Sequence, residues 1–232
     1  MPGNGPLGNF PWTFSPFWGN IMGNDSKKTG PVMDKYSILK QYYGHSAFRP
    51  GQETLIDAIL SGRDALCVMP TGGGKSLCYQ IPALLLPGIT LVVSPLISLM
   101  KDQVAALKSA GVAAAYINSS LTGEQIRTVY ARTRRGAYKL IYVAPERLET
   151  ESFLSLMQEM NVSFLAVDEA HCISQWGQDF RPSYLGIVDF INALPRRPIV
   201  AAYTATATAQ VQKDIARLLA LQSPYRIVTG FD

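Results

Sequence analysis

The sequence predicts a doubly wound α/β domain, in which helices cover both faces of a mostly parallel sheet. From Met33 onward, short β-rich apolar runs alternate with stretches whose apolar side chains recur every three or four residues. A chain of 232 residues with 47% hydrophobic side chains also provides one substantial core. The predicted strands are Ala65–Met69, Thr90–Ser94, Ala114–Asn118, Leu140–Val143, Phe164–Asp168, Ile199–Thr204 and Arg226–Thr229.

The helices between these strands are predicted from apolar spacing and end signals. Pro50 and Gln52 are expected to start a helix that runs to Leu60, since proline is favoured in a first helical turn. After the second strand, one helix presents a single apolar face and stops at Gly111. The members of that face are Leu96, Leu99, Met100, Val104 and Leu107. Folds of this kind bind ligands beyond the carboxyl ends of their strands, so segments that follow strands carry the most functional weight.

Residues 1–33 are predicted to form an N-terminal tail, and residues 34–232 to form the domain. Residues 1–24 contain no charged side chain and are rich in Gly, Pro, Asn, Phe and Trp. Their prolines prevent a regular element, yet the tail's aromatic side chains are costly to leave in water. Two interpretations stay open: an unstructured leader, or an aromatic peptide that docks on a protein partner. The aromatic residues concerned are Trp12, Phe14, Phe17 and Trp18.

Composition narrows the class of protein. A net charge of +4 permits a phosphate-rich partner without requiring one. Cys67, Cys78 and Cys172 are widely spaced and form no C-x-x-C pair, so neither a disulfide framework nor a zinc site is indicated. No apolar run approaches the roughly 18 residues of a membrane span, and the N-terminus lacks an export pattern. We expect a soluble protein of a reducing cytoplasm.

A glycine-rich segment follows the first predicted strand and opens a helix, which is the context of a phosphate-binding loop. The glycines let backbone N–H groups face phosphate oxygens, and the helix N-terminus adds partial positive charge. Lys75 is expected to reach the terminal phosphates of ATP, and Ser76 to offer its hydroxyl to Mg²⁺. The alternative is an ordinary glycine-rich turn. The segment comprises Met69, Pro70, Thr71, Gly72, Gly73, Gly74, Lys75 and Ser76.

Two adjacent acids follow the apolar strand that begins at Phe164. Asp168 is expected to hold Mg²⁺ through water, and Glu169 to orient and deprotonate the water that attacks the γ-phosphorus. His171 is expected to couple this site to other elements. Taken alone, such acids are more often solvated loop residues. The phosphate loop upstream favours the catalytic interpretation.

The segment from Asp168 to Tyr184, DEAHCISQWGQDFRPSY, resembles motif II and the aromatic-rich loop of RecQ-type DNA helicases. The phosphate loop resembles the form found in superfamily 2 helicases, although Met69 stands where the general pattern has glycine. Three further segments resemble the adenine-recognition motif, motif Ia and motif III of the same family, and the match extends from Tyr36 to Asp232. These segments are Phe48–Gln52, Ser94–Gln103 and Thr204–Ala207.

The resemblance implies a RecA-like P-loop NTPase domain and a role for each matched residue. Gln52 is implied to select ATP through the adenine edge, with Arg49 beside the ring. Many relatives have an aromatic residue in the place of His45, so adenine stacking is in doubt here. Thr204 and Thr206 are implied to link the nucleotide state to a neighbouring domain, although such threonines are also ordinary strand-end residues.

The aromatic-rich loop is expected to bind single-stranded DNA and to report it to the ATP site. Trp176 and Phe180 offer stacking surfaces and Arg181 a fixed cation, whereas Gln178 replaces a histidine common in relatives. A buried aromatic cluster that anchors the loop is the alternative, above all for Tyr184.

Small polar residues follow two other predicted strands. Ser94 could contact a DNA phosphate, as could the serines after Asn118. Serines at helix starts are also common N-caps, so both interpretations stay open.

Together these features predict the ATP-hydrolysing motor domain of a RecQ-like 3′-to-5′ helicase that acts on single-stranded and duplex DNA in the bacterial cytoplasm, at the nucleoid. The resemblance implies a second RecA-like domain after Asp232, without which we expect slow hydrolysis and no efficient unwinding. An RNA remodeller is the enzymatic alternative, against which the aromatic-rich loop argues. A scaffold that docks through its tail is the other alternative, against which Lys75, Asp168 and Glu169 argue.

Overall fold

Seven strands form one parallel sheet in the computed structural model, which describes residues 33–229. The order across the sheet is third, fourth, second, fifth, sixth, first and seventh strand. All seven predicted strands are confirmed, with ends within two residues of the prediction. The strands are β1 (Ala65–Val68), β2 (Ile89–Val93), β3 (Ala114–Ile117), β4 (Leu140–Val143), β5 (Val162–Val167), β6 (Ile199–Thr204) and β7 (Tyr225–Val228).

Helices cover both faces of the sheet, which confirms the doubly wound α/β prediction. They are α1 (Lys35–Tyr43), α2 (Gln52–Leu60), α3 (Lys75–Leu85), α4 (Ile97–Ser109), α5 (Gly123–Arg134), α6 (Pro145–Leu148), α7 (Glu151–Glu159), α8 (Gly186–Ala193) and α9 (Ala209–Leu218). Two short 3₁₀ turns, Ala170–Ile173 and Pro182–Tyr184, lie between β5 and α8. Within the described residues, no helix is both long and apolar enough to cross a membrane. The predicted tail, except for its last residue Met33, lies outside the described part of the chain.

The two faces of the sheet bury separate apolar cores, because successive side chains of a strand point in opposite directions. On one face, Phe164 and Ala166 of β5 pack with residues of α2, α3 and α4. On the other, Leu165 and Val167 pack with residues of α5, α7, α8 and α9. Four consecutive residues of β5 are therefore fully buried, as expected for the interior of a parallel sheet.

Helix α4 confirms most of the predicted apolar face. Met100, Val104 and Leu107 are buried, and Leu99 is half-buried. The prediction is wrong for Leu96, which is exposed because it precedes the first helical residue with an extended backbone. Gly111 follows the helix with φ +85°, a left-handed conformation that favours glycine.

The amino ends of three strands are held by one buried carboxylate, that of Asp64. It accepts two hydrogen bonds from the guanidinium of Arg197, at 3.1 and 2.6 Å. It also accepts the backbone N–H groups of Val200 in β6, at 2.9 Å, and of Gln222 before β7, at 2.7 Å. Because Asp64 itself precedes β1, the carboxylate joins β1, β6 and β7 at the edge where they begin.

We expect Asp64→Ala to lower the free energy of unfolding by about 2–4 kcal/mol, because it leaves buried N–H groups and a partly buried guanidinium without their acceptor. Urea denaturation of the purified chain measures this loss. Asp57→Ala is the control, because Asp57 forms a largely exposed ion pair with Lys35 and should cost less than about 1 kcal/mol. Equal losses in the two variants would contradict the role assigned to Asp64.

Candidate active site

Three strand ends bring the predicted site residues together at the carboxyl edge of the sheet. β6 lies between β1 and β5. The glycine-rich loop follows β1, the acidic pair follows β5, and Thr204 ends β6 between them. The N–H of Met69 donates to the carbonyl of Thr204 at 3.0 Å, which joins the start of the glycine-rich loop to the end of β6.

The glycine-rich loop requires its glycines. Gly72 and Gly74 have φ of +79° and +85°, in the left-handed region that other residues rarely adopt. A Cβ on Gly74 would lie 2.3 Å from the side-chain nitrogen of Gln52, and one on Gly73 would lie 2.6 Å from the Cγ of Met69. Thr71 is exposed at the rim. The loop is therefore a narrow cradle of backbone that a side chain would obstruct.

Lys75 and Ser76 form the first turn of α3, directly after the glycines. The ammonium of Lys75 donates to the carbonyl of Met69 at 2.9 Å, so it lies folded over the loop. The strand, loop and helix follow one another in the order that the sequence predicted. The helix N-terminus and Lys75 together make this cradle positive, which suits phosphate.

Gln52 is buried beneath the glycine-rich loop rather than free in a pocket. Its side-chain oxygen accepts the backbone N–H of Arg49 at 2.9 Å, and its nitrogen lies 3.3 Å from the carbonyl oxygens of both Gly73 and Gly74. The guanidinium of Arg49 donates to the carbonyl of Gly72. A cavity of about 200 Å³ opens beside these groups. Its lining comprises His45, Ala47, Arg49, Gln52, Gly72, Gly74 and Leu77.

The carboxyl group of Asp168 is buried at the end of β5, and burial raises its pKa to about 6. That value includes the neighbouring charge of Glu169, which also raises the pKa, and two opposing effects that lower it: the N–H of Glu169, at 3.1 Å from Oδ1, and the ammonium of Lys75. Lys75 is thus near enough to act on Asp168 electrostatically. Folding therefore brings the phosphate-loop lysine and the strand-end acid into one site.

Glu169 adopts φ +48°, which is uncommon for a residue with a side chain. Its carboxylate lies 3.3 Å from Nδ1 of His171, and the same nitrogen lies 2.9 Å from the hydroxyl oxygen of Thr204. A proton on Nδ1 lets His171 donate to Thr204 while the Thr204 hydroxyl donates to the carbonyl of Thr206 at 3.0 Å. His171 thus connects the acid after β5 with the end of β6.

The residues present fit a magnesium-bound nucleotide. The cradle has the backbone N–H groups and the cation that a polyphosphate needs. A hydroxyl on Ser76 and a carboxylate on Asp168 are the hard oxygen donors that Mg²⁺ prefers. Burial of an acid beside a second acid is costly, and a bound cation would relieve that cost.

The aromatic-rich loop begins directly after the 3₁₀ turn that carries His171. Trp176 is 76% exposed, whereas Phe180 and Arg181 are half-buried. The guanidinium of Arg181 pairs with Asp179 at 2.8 Å. Gly177 allows the loop to close on itself, since a Cβ there would lie 2.2 Å from the carbonyl oxygen of His171.

Tyr184 is fully buried, and its hydroxyl donates to the backbone carbonyl of Asp168 at 2.8 Å. Its ring is therefore an anchor, as the alternative interpretation proposed, and it does not offer a stacking surface to a base. The anchor ties the end of the aromatic-rich loop to the acidic pair.

The remaining predicted site residues differ in accessibility. Ser94 is buried after β2, and its hydroxyl has no hydrogen-bond partner within residues 33–229. Asn118 is buried, and its side-chain oxygen accepts the backbone N–H and the hydroxyl of Ser120. The N-cap interpretation is wrong for Ser94 and for the serines after Asn118, because the N-caps are Leu96 for α4 and Thr122 for α5. Thr206 is exposed beside the buried Thr204.

Sequence reasoning missed one buried polar chain next to the site. The side-chain nitrogen of Gln80 in α3 donates to Gln103 of α4 and to Tyr142 of β4, each at 2.9 Å. The chain joins the helix that follows the phosphate loop to the helix that follows Ser94. Its only signal in the sequence is the polar Gln80 within an apolar helix.

Comparisons with known proteins agree with this geometry. Residues 49–215 match the DEAD/DEAH box helicase family. The chain is 50% identical to the ATP-dependent DNA helicase RecQ of Bacillus subtilis over 196 residues, which are 84% of this chain and 33% of that protein. It is 49% identical to the RecQ of Haemophilus influenzae over 211 residues, 90% of this chain and 34% of that one.

A solved structure supports the fold. The helicase MrfA, crystallised with DNA, superposes with a TM-score of 0.68 at 15% identity, over 87% of this chain and 30% of that one. The predicted RecA-like architecture is thereby confirmed. The chain spans about a third of the length of the curated relatives it matches. Since the family match covers most of the described domain and its motifs form one site, this chain belongs to the DEAD/DEAH box helicases.

Proposed function

We propose that this chain is the first motor domain of a RecQ-type DNA helicase, which binds Mg–ATP, hydrolyses its β–γ phosphoanhydride and couples hydrolysis to single-stranded DNA. The observation that carries the proposal is that Lys75 lies near enough to the buried Asp168 to lower its pKa, across strand ends that only β6 separates, with an exposed tryptophan on the loop that follows Asp168. The identity of about 50% to two RecQ helicases supports the choice of family.

Each group in the site has a distinct task in this proposal. The glycine-rich loop and Lys75 hold the phosphates, and Ser76 and Asp168 hold Mg²⁺. A Mg²⁺ ion held by these residues would neutralise charge on the phosphate oxygens. Glu169 orients the attacking water and accepts its proton, with His171 fixing the carboxylate from 3.3 Å.

Gln52 and Arg49 recognise the adenine. Both line the cavity beside the glycine-rich loop, and both already bond to carbonyl groups of that loop. A base that engages them would therefore also act on the conformation of the phosphate cradle. The exposed His45 at the rim provides a smaller stacking surface than an aromatic ring.

The aromatic-rich loop is the DNA contact in this proposal. Trp176 offers a free ring on which a base can stack, and Phe180 and Arg181 extend the surface. The signal has two routes to the nucleotide: through Tyr184 to the backbone of Asp168, and through His171 to Thr204. At the neighbouring strand ends, Ser94 contributes to the contact with a DNA phosphate, and Thr206 contributes to the link between the nucleotide state and the neighbouring domain.

The proposal extends to the whole protein. RecA-like helicases place ATP between two domains, and an arginine from the second stabilises the developing charge, an effect worth about 10³–10⁵ in rate for such fingers in other NTPases. The 232 residues alone should therefore hydrolyse ATP slowly and unwind poorly. We propose 3′-to-5′ polarity, action at the bacterial nucleoid, and a protein partner for the aromatic tail.

Glu169→Gln should lower kcat for ATP by at least about 100-fold, since general-base catalysis contributes roughly 10²–10⁴-fold. The KM for ATP should change little, because the amide still fits the site. Steady-state phosphate release, in a protein completed with a second RecA-like domain, measures both. Glu124→Gln, an exposed acid in the first turn of α5, is the control. Undiminished hydrolysis in Glu169→Gln would favour a scaffold instead.

Trp176→Ala should weaken binding of single-stranded DNA by at least about fivefold, because one stacked base contributes on the order of 1–3 kcal/mol. Trp176→Phe keeps a stacking surface and should retain most of the affinity. Fluorescence anisotropy with oligonucleotides of equal length, DNA against RNA, gives the affinities, and ATPase assays with the same oligonucleotides give the stimulation. Stronger stimulation by RNA would identify an RNA remodeller.

Binding of Mg–ATP should weaken as pH falls below about 6, where the carboxyl of Asp168 becomes protonated. Binding weakens at low pH because the ionised carboxylate is the magnesium ligand. Each pH unit below the pKa lowers the ionised fraction of Asp168 about tenfold. Asp168→Asn removes this titration and is the control for the titration of ATP itself. Calorimetry with Mg²⁺ and with EDTA separates the titration of Asp168 from that of ATP. Identical pH profiles for the wild type and Asp168→Asn would refute the assignment of Asp168 as a magnesium ligand.

A further inference from the structure

The aromatic-rich loop begins at a buried polar contact, between Ser174 and Asp214, that is not part of the site described above. Ser174 is fully buried, and its hydroxyl donates to Oδ2 of Asp214 at 2.8 Å. The same hydroxyl oxygen accepts the backbone N–H of Trp176 at 3.2 Å. One carboxylate on α9 therefore holds, through one hydroxyl, the backbone of the most exposed ring in the loop.

The neighbours of Asp214 favour the ionised form of its carboxylate. The hydrogen bond from Ser174 holds its pKa below the usual range, and Arg217 and Gln210 add to the effect. Arg217 and Gln210 approach the second oxygen, Oδ1, at 3.2 and 3.3 Å. Oδ2 is thus left to Ser174, and a charged acceptor makes that hydrogen bond a strong one.

The contact joins the same two segments that meet at His171 and Thr204. α9 follows β6 after a short connection that contains Thr206, so Thr204 and Asp214 belong to one continuous stretch. Opposite them, His171 and Ser174 lie three residues apart at the start of the loop. Apolar packing of α9 against the 3₁₀ turn Ala170–Ile173 fills the space between the two contacts.

We call Ser174, with its contacts to Asp214 and to the N–H of Trp176, the root of the loop. Beyond this root, few hydrogen bonds hold the loop. The N–H of Arg181 donates to the carbonyl of Cys172 at 2.8 Å and closes the loop, while that of Gly177 donates to Ser174 at 2.9 Å. Gln175, Trp176, Gln178 and Asp179 are all exposed. The conformation of the tip therefore depends on how firmly Ser174 is held.

We propose that Asp214 is a positioning residue for DNA-stimulated hydrolysis: through Ser174 it fixes the root of the aromatic-rich loop, so that displacement of Trp176 by DNA reaches the acids after β5. The inference rests on the proposed function, because it requires the loop to carry the DNA signal. A fixed root transmits a displacement, whereas a loose root absorbs it. Asp214 touches neither ATP nor DNA in this scheme.

Four variants separate the hydrogen bond from the charge. Asp214→Ala and Ser174→Ala remove the link. Asp214→Asn keeps an oxygen that can accept from Ser174 and should restore most of the effect. Arg217→Ala removes only the exposed ion pair on Oδ1 and leaves the Ser174 contact intact. Circular dichroism and thermal melting verify that each variant folds, and Ser174→Ala carries the test if Asp214→Ala does not.

The experiment compares exchange and catalysis in a protein completed with a second RecA-like domain. In Asp214→Ala and Ser174→Ala, amide hydrogen exchange at Trp176 should rise at least about tenfold. Stimulation of ATPase by single-stranded DNA should fall about fivefold or more, with basal hydrolysis and the KM for ATP unchanged. Arg217→Ala should resemble the wild type in all four quantities, and Asp214→Asn, whose neutral oxygen still accepts from Ser174, should lie much nearer to the wild type than to Asp214→Ala in exchange and in DNA stimulation.

The outcomes distinguish this inference from the proposed function. Unchanged exchange at Trp176 would overturn the positioning role whatever the ATPase shows. Raised exchange with unaltered DNA stimulation would overturn the link to catalysis. An equal fall in basal and stimulated hydrolysis would indicate a merely structural role and would also overturn it. If the wild type shows no DNA stimulation at all, the proposed function itself fails, and this inference with it.

Discussion

The burial of Asp168 at the end of a central strand is the constraint on which the site depends. A carboxyl group removed from water, with a second acid beside it, favours its neutral form. Two features of the fold favour the ionised form there: the backbone N–H of Glu169, which donates to Asp168, and the positive charge of Lys75. The strand order makes this possible, because a single strand, β6, separates the one that delivers the lysine from the one that delivers the acid.

The end of β6 also contacts both parts of the site, namely the glycine-rich loop after β1 and the segment after β5. The carbonyl of Thr204 accepts from Met69 at the root of the glycine-rich loop, and its hydroxyl meets His171 after β5. A shift at either neighbour must therefore be accommodated by this one residue or passed on. The chain then continues into α9, so the same stretch also reaches the aromatic-rich loop through Asp214.

Local patterns in the sequence were sufficient for the strands, for the position of the glycine-rich loop between β1 and α3, and for the segments that carry the acids and the aromatic rings. They could not assign Tyr184, because an aromatic side chain after a loop is equally suited to anchoring and to stacking until its surroundings are known. They missed the pair of Ser174 and Asp214, which lie forty residues apart and belong to no shared motif. Leu96 was misplaced because helical spacing does not mark the first helical residue.

The two edges of the sheet differ in role: the amino edge carries a stabilising cluster of hydrogen bonds, and the carboxyl edge carries the candidate site. At the amino edge, Asp64 has every oxygen engaged and ties β1, β6 and β7 together with buried hydrogen bonds. At the carboxyl edge, β1 leads into the glycine-rich loop over which Lys75 lies, and β5 ends directly before Asp168, an acid whose pKa is raised by burial. A buried acid beside a second acid is costly to the folded state, whereas the buried hydrogen bonds of Asp64 at the opposite edge stabilise it.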